Sequence, residues 1–404
     1  MKSNYRKIGD FIQLVDERNK DLKVTKLLGL SISKQFIPSV ANIIGTNMAN
    51  YKIIKKNQFA CSTMQVRRDK KMPIALLQDF EEAIISQAYP VFEVVDETIL
   101  NPEYLMMWFS RSEFDRHACF LAVGGVRGSL EWEDFLDMPI PVPSIEEQRE
   151  IVAEYNTIVN RIKLNETLNQ KLEDTAQALY KHWFVDFEFP NADGKPYKSS
   201  GGEMVYNEEL DCEIPLGWED GCLGDFVDYT SKRVGVMDLS LETYISTDNM
   251  LPDKKGIKIA NKLPTVISVS KFEKGNILLS NIRPYLKKIW QASYAGGVSN
   301  DVLCLVPKTF NMSSYIYTVL EQDSFFEYVM QGAKGTKMPR GDKDWNMKYS
   351  IAKPSEGIVD LFSKVSDAML KEKLLRTQEK SLLVNLSELI LSKMSKVEPK
   401  TTLV

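Results

Sequence analysis

Leu179-Tyr-Lys-His-Trp-Phe-Val-Asp-Phe-Glu-Phe-Pro190 closes a run that begins at Ile145 and contains no glycine or proline before Pro190. A second such run extends from Ile358 to Glu398. Glycine and proline are the strongest local breakers, so each run predicts a helix of about 40 residues, near 60 Å at about 1.5 Å per residue. In the first, Ile151, Tyr155, Ile158, Ile162, Asn165, Asn169, Leu172, Ala176, Leu179 and Trp183 alternate four and three apart, which is a heptad seam. In the second, Leu361, Val365, Ala368, Glu372, Leu375, Glu379, Leu382, Leu386 and Leu389 read the same way. Pro143-Ser144 sets Ser144 as an N-cap with Glu147 three residues on. Pro354-Ser355-Glu356 puts acid in the first turn, where it complements the helix dipole. The polar seam residues Asn165, Asn169, Glu372 and Glu379 either fix register and partner choice or point to solvent as the seam drifts. Two such helices pair most economically with each other, antiparallel within one chain, with a domain at each end.

Working outward from the helices, the rest of the chain repeats. Ile8-Gly-Asp-Phe11 returns as Leu223-Gly-Asp-Phe226, and Phe59-Ala-Cys-Ser62 as Ile277-Leu-Leu-Ser280, followed by Arg67 and Arg283 respectively. Ser86 returns as Ser299, Arg127-Gly-Ser129 as Lys334-Gly-Thr336, Trp132 as Trp345, and Pro143-Ser144 as Pro354-Ser355. The shared order and near-constant offset predict a duplicated domain-plus-helix, because the period is far too long for a solenoid. The expected fold class is α+β: two pseudo-repeated domains separated by two long antiparallel helices in an intramolecular coiled coil. The expected boundaries are a first domain at 1–144, its helix at 145–189, a polar linker at 190–215, a second domain at 216–354, its helix at 355–396 and a tail at 397–404. Lys52-Ile-Ile, Ala83-Ile-Ile, Val91-Phe-Glu-Val-Val, Val266-Ile-Ser-Val, Ile277-Leu-Leu and Val302-Leu-Cys-Leu-Val are strand candidates. Tyr104 to Phe114 and Tyr315 to Met330 read as helices.

The chain has 404 residues, 44% hydrophobic and 26% charged, enough for two or three domains with real cores. No apolar run reaches the roughly 18 residues of a membrane span, and the N-terminal residues lack a signal-peptide core. The five cysteines (Cys61, Cys119, Cys212, Cys222, Cys304) are scattered, with no C-x-x-C. That points to a reducing, cytoplasmic setting and away from a zinc site or disulfide frame. A net charge of −4 counts against nucleic-acid binding unless the basic residues are local. They are: Arg67, Arg68, Lys70 and Lys71 cluster; Arg283, Lys287 and Lys288 interleave with Tyr285; Lys334, Lys337, Arg340 and Lys343 share a Gly-rich loop. Any one cluster alone reads as a solvated face. Their recurrence at matched places in both halves points to function. With Arg127 and the neighbouring polar residues Gln87, Ser129 and Asn300, they are the candidate DNA contacts. Arg and Lys serve phosphates and guanine edges, and Asn and Gln serve adenine.

Chemistry is missing. Asn101-Pro-Glu-Tyr104 is close to the Asn-Pro-Pro-Tyr motif of amino-methyltransferases but lacks its second proline, and it reads as a turn before a helix. Pro252-Asp253 lacks the acid-x-Lys of a nuclease signature. Gly124-Gly-Val-Arg-Gly128 and Gly332-Ala-Lys-Gly335 lack the Gly-Lys-Ser/Thr end of a phosphate-binding loop. The two histidines, His117 and His182, have no evident nucleophile or metal-ligand partners. No catalytic residue, metal site or cofactor is expected in this chain.

Laid out this way, the chain resembles the specificity subunit of type I restriction–modification enzymes across nearly its full length. The resemblance is strongest in Leu179–Pro190, in Gly194-Lys-Pro-Tyr-Lys-Ser-Ser-Gly-Gly-Glu-Met204, in Glu213-Ile-Pro-Leu-Gly-Trp218 and in Pro143-Ser-Ile-Glu-Glu-Gln148. Pro354-Ser-Glu-Gly357 lacks the Glu-Gln pair. The resemblance implies that each domain reads one half of a split double-stranded DNA target. It also implies that the helices dock two methyltransferase subunits, which two restriction subunits can join. S-adenosylmethionine, ATP and Mg would belong to those partners. Ile151, Tyr155, Ile158, Ile162, Leu172, Leu179, Trp183, Val365, Leu375, Leu382, Leu386 and Leu389 are the candidates for subunit docking or helix pairing. Two other readings are a stand-alone sequence-specific DNA-binding regulator and a structural scaffold for protein partners. Tight binding without a copurifying methyltransferase marks the first, and binding indifferent to salt and competitor DNA marks the second.

Overall fold

A computed structural model describes residues 5–39, 46–124 and 128–394. It divides into two units: unit 1 contains residues 1–166 and 377–404, and unit 2 contains residues 167–376. Both mix helix and sheet, as α+β requires.

In unit 1 an antiparallel sheet runs in the order Ile12–Val15, Val91–Val94, Phe59–Cys61, Ile74–Leu76. These strands are short apolar runs bounded by turns, and their inner faces meet Pro102–Ser110, Ser112–Leu121 and Trp132–Asp137, all helical. Phe59 and Phe92 stack at 4.9 Å, and Phe109 meets them edge-on. A second sheet has the order Phe36–Pro38, Leu27–Leu30, Glu82–Ile85, Lys52–Lys55, its central pair parallel. The helix expected from Tyr104 to Phe114 is broken at Arg111, which has extended backbone and lays its guanidinium over the Trp108 ring at 4.2 Å. Asn101 caps the first of these helices by accepting from the Glu103 and Tyr104 amides, so Asn101-Pro102 is a helix start.

Unit 2 has an antiparallel sheet in the order Val227–Tyr229, Val302–Pro307, Ile277–Ser280, Ile289–Gln291. Its other four-stranded sheet has the order Arg233–Gly235, Ser268–Phe272, Gly296–Val298, Tyr244–Ile245, with the last pair parallel. The helix expected from Tyr315 to Met330 is two helices, Ser313–Leu320 and Asp323–Gln331. The expected linker at 190–215 is folded: Met204–Asn207 and Cys212–Pro215 form a hairpin whose Ile214 is buried. Phe189 stacks on Tyr197 and Trp218, which fixes that segment to the core. Polar composition concealed these few apolar anchors.

The first long helix spans Ile145–Tyr180 and passes into a π-helical turn at Lys181–Val185. Ser144 caps it, its Oγ accepting the Glu147 amide. In unit 1, Gln148 at the helix start is fully buried, accepts the Asn101 amide at 2.8 Å and donates to the Ile99 and Pro143 carbonyls at 2.9 Å. In unit 2, Trp183 and Phe184 are core residues packed against Phe362. Unit 2 solves the joint to the second long helix, Glu356–Lys393, with other groups. Asn311 donates to Asp360, and Ser314 donates to Asp367.

On the first helix Ile151, Tyr155, Ile158, Ile162, Leu172, Leu179 and Trp183 are all at least partly buried. The second helix differs. Val365, Leu375, Leu382, Leu386 and Leu389 are 36% to 70% exposed and do not form a pairing face. A stripe of covered positions three and four apart runs instead through Val359, Phe362, Ser366, Met369, Lys373, Arg376, Lys380, Leu383, Ser387, Ile390 and Met394, flanked by the partly covered Glu372 and Glu379 of the seam read above. The middle of that stripe is charged, so an apolar reading slid to the wrong face. Within unit 1, Arg161 reaches Glu379 at 2.8 Å, Asn165 donates to the same carboxylate at 3.1 Å, and Glu166 meets Lys380 at 2.6 Å. Within unit 2, Glu173 pairs with Lys373. Among the described residues no helix is long and apolar enough to cross a membrane.

Candidate nucleic-acid interface

In unit 1 the strand Phe59–Cys61 ends in a four-residue helical turn, Val66–Asp69. Gln65 and Lys70 bracket it, both in the left-handed region with φ of 64° and 52°. Such backbone is uncommon away from glycine and clusters where the surrounding structure holds a side chain in place. Arg67 and Arg68 lie on the turn and are exposed, as are Lys70 and Lys71. The Arg67 amide donates to the Gly128 carbonyl, and its guanidinium donates to the Gly124 carbonyl at 3.2 Å. Gly128 is needed there, because a Cβ would lie 2.8 Å from the Arg67 Cβ. Leu130 donates to the Thr63 carbonyl, so the two loops are stitched together. Ser129, half-buried, exchanges backbone bonds with Val123. Gln87 is exposed and lines a cleft of about 230 Å³ together with Thr63, Lys52 and Trp132. Arg127 lies outside the described residues.

Unit 2 repeats this convergence with different chemistry. After Ile277–Ser280 the turn Pro284–Leu286 is bracketed by Arg283 and Lys287, with φ of 52° and 49°. The Arg283 amide donates to the Pro339 carbonyl at 2.7 Å, and the Asn281 amide donates to the Asp301 carbonyl at 2.8 Å. Arg340 pairs with Asp301 at 2.9 Å and joins Lys334 through two backbone bonds. Gly341 donates to the Asn281 carbonyl and stands where a Cβ would lie 2.7 Å from the Asn281 Oδ1. The segments 281–288, 299–301 and 334–343 therefore meet. Tyr285, Asn300 and Lys337 stand exposed among them.

The basic groups are not equally available. Lys287 is held by Asp323 at 2.9 Å, and Lys288 donates to the Thr247 carbonyl at 2.6 Å. Burial pushes the Lys288 ammonium below its ordinary value, with Asp248 pulling the other way. Lys334 pairs with Asp342 at 2.8 Å, and Lys343 sits 5.6 Å above the Tyr229 ring. Exposed pairs such as Arg340–Asp301 are worth at most about 1 kcal/mol, so a phosphate can displace the carboxylate. Arg283 carries a buried Nε with no hydrogen-bond partner. An orphaned donor of that kind costs about 1–3 kcal/mol until something accepts from it.

Two points escaped the sequence. Arg67 and Arg283 are not at the same place: counted from the strand starts Phe59 and Ile277, Arg283 matches Gln65, and Tyr285 matches Arg67. The carboxylates Asp301, Asp323 and Asp342, which hold and aim the cations, were also overlooked. Cations next to acids in sequence signal nothing by themselves.

Residues 2–174 match the family described as the type I restriction modification DNA specificity domain. The chain is 35% identical over 125 residues to the specificity subunit of the type I restriction enzyme MjaIX from Methanocaldococcus jannaschii, covering 31% of this chain and 27% of the relative. It is 27% identical over 161 residues to the specificity subunit of the type I restriction enzyme HindI from Haemophilus influenzae, covering 39% of this chain and 34% of the relative. The alignments thus span about a third of these relatives or less. In fold, the chain is similar to a crystal structure of a type I restriction–modification S subunit from M. genitalium. The TM-score is 0.58 at 14% identity over 98% of this chain and 96% of the other.

Proposed function

We propose that this chain, whose residues 2–174 match the type I restriction modification DNA specificity domain, is the non-catalytic DNA-specificity subunit of a type I restriction–modification complex. The observation that carries the proposal is that each unit gathers basic and polar loops around one turn bracketed by left-handed residues: Arg67, Arg68, Lys70 and Lys71 stitched to the loop at 128–130 beside Gln87 in unit 1, and Arg283, Tyr285, Asn300, Lys337 and Arg340 on three meeting segments in unit 2. Polar loops on a rigid scaffold are where recognition is placed, and phosphate contacts set register while base contacts specify.

The two domains are copies of one design. Their main sheets have matching strand order, each second sheet contains one parallel pair, and each domain is closed by an antiparallel pair, Tyr5–Lys7 with Pro139–Pro141 and Glu219–Cys222 with Ser350–Lys353. Each copy reads half of a split double-stranded target. The two long helices pair antiparallel as an intramolecular coiled coil, a reading supported by the pairs Arg161–Glu379 in unit 1 and Glu173–Lys373 in unit 2. The exposed stripe Val365, Leu375, Leu382, Leu386 and Leu389 is then free to dock two methyltransferase subunits, with two restriction subunits as further partners. S-adenosylmethionine, ATP and Mg reside on those partners, and the complex works in the cytoplasm.

The test is a map of methylated adenines in cells that do or do not express this chain with its neighbouring methyltransferase gene. A split sequence methylated only when both are present is the expected result. Identical maps would remove the proposal.

A further inference from the structure

Unit 2 exposes an apolar tip that no contact described so far uses. Met237 is 97% exposed, Ile267 is 92% exposed and Val266 is 54% exposed. They are neighbours, because the Val236 amide donates to the Ile267 carbonyl at 3.0 Å just beyond the paired strands Arg233–Gly235 and Ser268–Phe272. Single exposed apolar residues are ordinary. Three gathered around one backbone hydrogen bond, two of them almost wholly in solvent, are not.

The mounting is rigid. Behind the tip, Val236, Tyr244, Ala260 and Val269 form a buried cluster with Val234 and Leu263 against it. The Arg233 guanidinium clamps the neighbouring strand through the Ser268 carbonyl at 2.5 Å and its hydroxyl at 3.1 Å. Ala260 ties the basic segment before it to the same cluster by donating to the Leu241 carbonyl.

The surroundings say what the tip meets. The segment leading to the tip, residues 254–267, carries exposed Lys255, Lys258 and Lys262 and no carboxylate, in a chain whose net charge is −4. Over residues 232–273 there are seven Lys and Arg against five Asp and Glu (Asp238, Glu242, Asp248, Asp253, Glu273); Glu273 takes Lys232 at 3.0 Å and Lys271 at 3.1 Å, and Asp323 takes Lys254 at 2.7 Å. A small protruding apolar point led by a segment of exposed lysines is the pattern of a side-chain wedge entering duplex DNA. Met, Ile and Leu are the residue types that unstack a base step from the minor groove while cations hold the flanking phosphates. A protein-docking patch would instead present a broad apolar face with a polar rim.

We propose that Met237, Val266 and Ile267 form a wedge that inserts at a base step of the bound duplex and kinks it. This rests on the DNA-specificity reading above and adds a contact to it: shape readout, in which deformable steps are favoured at a position not read by hydrogen bonds.

The test uses the complex recovered on the tagged full-length chain and the variant Met237→Ser/Ile267→Ser. Both side chains are exposed, so folding is unaffected, and circular dichroism checks this. The probe is a duplex of about 40 base pairs, well below the roughly 150-base-pair persistence length. It carries the sequence recovered from the methylation map or, if the map returns none, from selection in a random duplex pool. It is end-labelled for energy transfer, with 2-aminopurine stepped through the target. The wild type should shorten the end-to-end distance and brighten 2-aminopurine at one step. The variant should bind about tenfold more weakly and do neither. Equal affinity and equal kinking by the variant would overturn the wedge and leave the DNA reading intact. So would wild-type binding without distortion. Loss of a copurifying subunit with DNA binding and kinking unchanged would make the tip a protein dock and overturn the proposal. Failure of the wild type to bind any duplex would remove the DNA reading itself.

Discussion

Gln148→Met should loosen the joint between the first domain and its long helix without emptying it. Gln148 is fully buried and makes three hydrogen bonds, one from the Asn101 amide and two to the Ile99 and Pro143 carbonyls. Methionine is close in length and flexible, so packing is retained, but it cannot make any of the three. A typical intramolecular hydrogen bond is worth about 1 kcal/mol net, and an orphaned, fully buried partner costs up to about 3. Ile99 is 46% exposed, and Asn101 and Pro143 are half-buried, so water reaches the partners. The lower figure applies, and the expected loss is about 3 kcal/mol. Amide hydrogen exchange followed by mass spectrometry should show it as roughly 100-fold faster exchange in peptides covering 99–110 and 143–158, with peptides from 277–291 unchanged. Gln148→Glu should also weaken the joint, because a carboxylate would face two carbonyls. Exchange within a factor of two of wild type in the methionine variant, or equal acceleration in both units, would refute the reasoning.

Glu321 gives a pH test. Burial raises its carboxyl above the ordinary value, although Gln177 donates to it at 2.8 Å and Tyr317 and Lys373 favour the charged form. The folded protein therefore holds a proton that the unfolded chain releases near its ordinary value of 4.5. Stability should fall as pH rises from there through the raised value. Glu321→Gln should flatten that slope in urea midpoints measured from pH 4.5 to 8, with its advantage growing toward high pH; parallel curves would contradict this. Arg283→Ala should cost about 1–3 kcal/mol of binding and relax one target position if the side chain reads a base edge. If it touches phosphate, the salt slope should instead fall by about 0.9 with sequence preference intact. Titration of the labelled duplex at several salt concentrations decides, and no change in either quantity makes the cluster a solvated surface. Exchanging residues 1–144 for the equivalent domain of a relative should change one half of the methylated target; a change in both halves would contradict independent reading.

The long helices and a minority of the strands, among them Lys52–Lys55, Glu82–Ile85, Val91–Val94, Ile277–Ser280 and Val302–Pro307, were legible because they rest on local signals: breaker-free runs and apolar segments bounded by turns. The misreadings share a physical cause. On the second helix, Leu375, Leu382, Leu386 and Leu389 look like a seam until Lys373, Arg376 and Lys380 are seen to take the covered positions by pairing with carboxylates. Only the surrounding carboxylates, Glu173 and Glu166 on the first helix and Glu372 on the second, reveal that these cations are partly covered. Likewise, residues 190–215 read as a tether by composition, yet Ile214 and the Phe189–Tyr197 stack anchor them. The breaks at Arg111 and at Glu321-Gln322 lie in sequences with good helical character, so tertiary packing overrode propensity. The apolar tip at Met237 and Ile267 was invisible for the opposite reason, since an exposed Met or Ile is indistinguishable from a core one in sequence.

Unit 1 draws on both ends of the chain. Ile390, Leu391 and Met394 pack on the same core as Val152, Ile151 and Tyr155. A ribosome delivers the N-terminal part of that unit first and the rest only about 210 residues later, a delay of roughly 10–40 s at about 5–20 residues per second. Through that interval the growing polypeptide carries an unfinished apolar flank, open to holdase chaperones or to the same flank on a neighbouring nascent chain. Unit 2, contiguous in sequence, can close while translation continues. The order of completion is thus the reverse of the order of synthesis, and the yield of correctly closed protein should respond to translation speed downstream of residue 166.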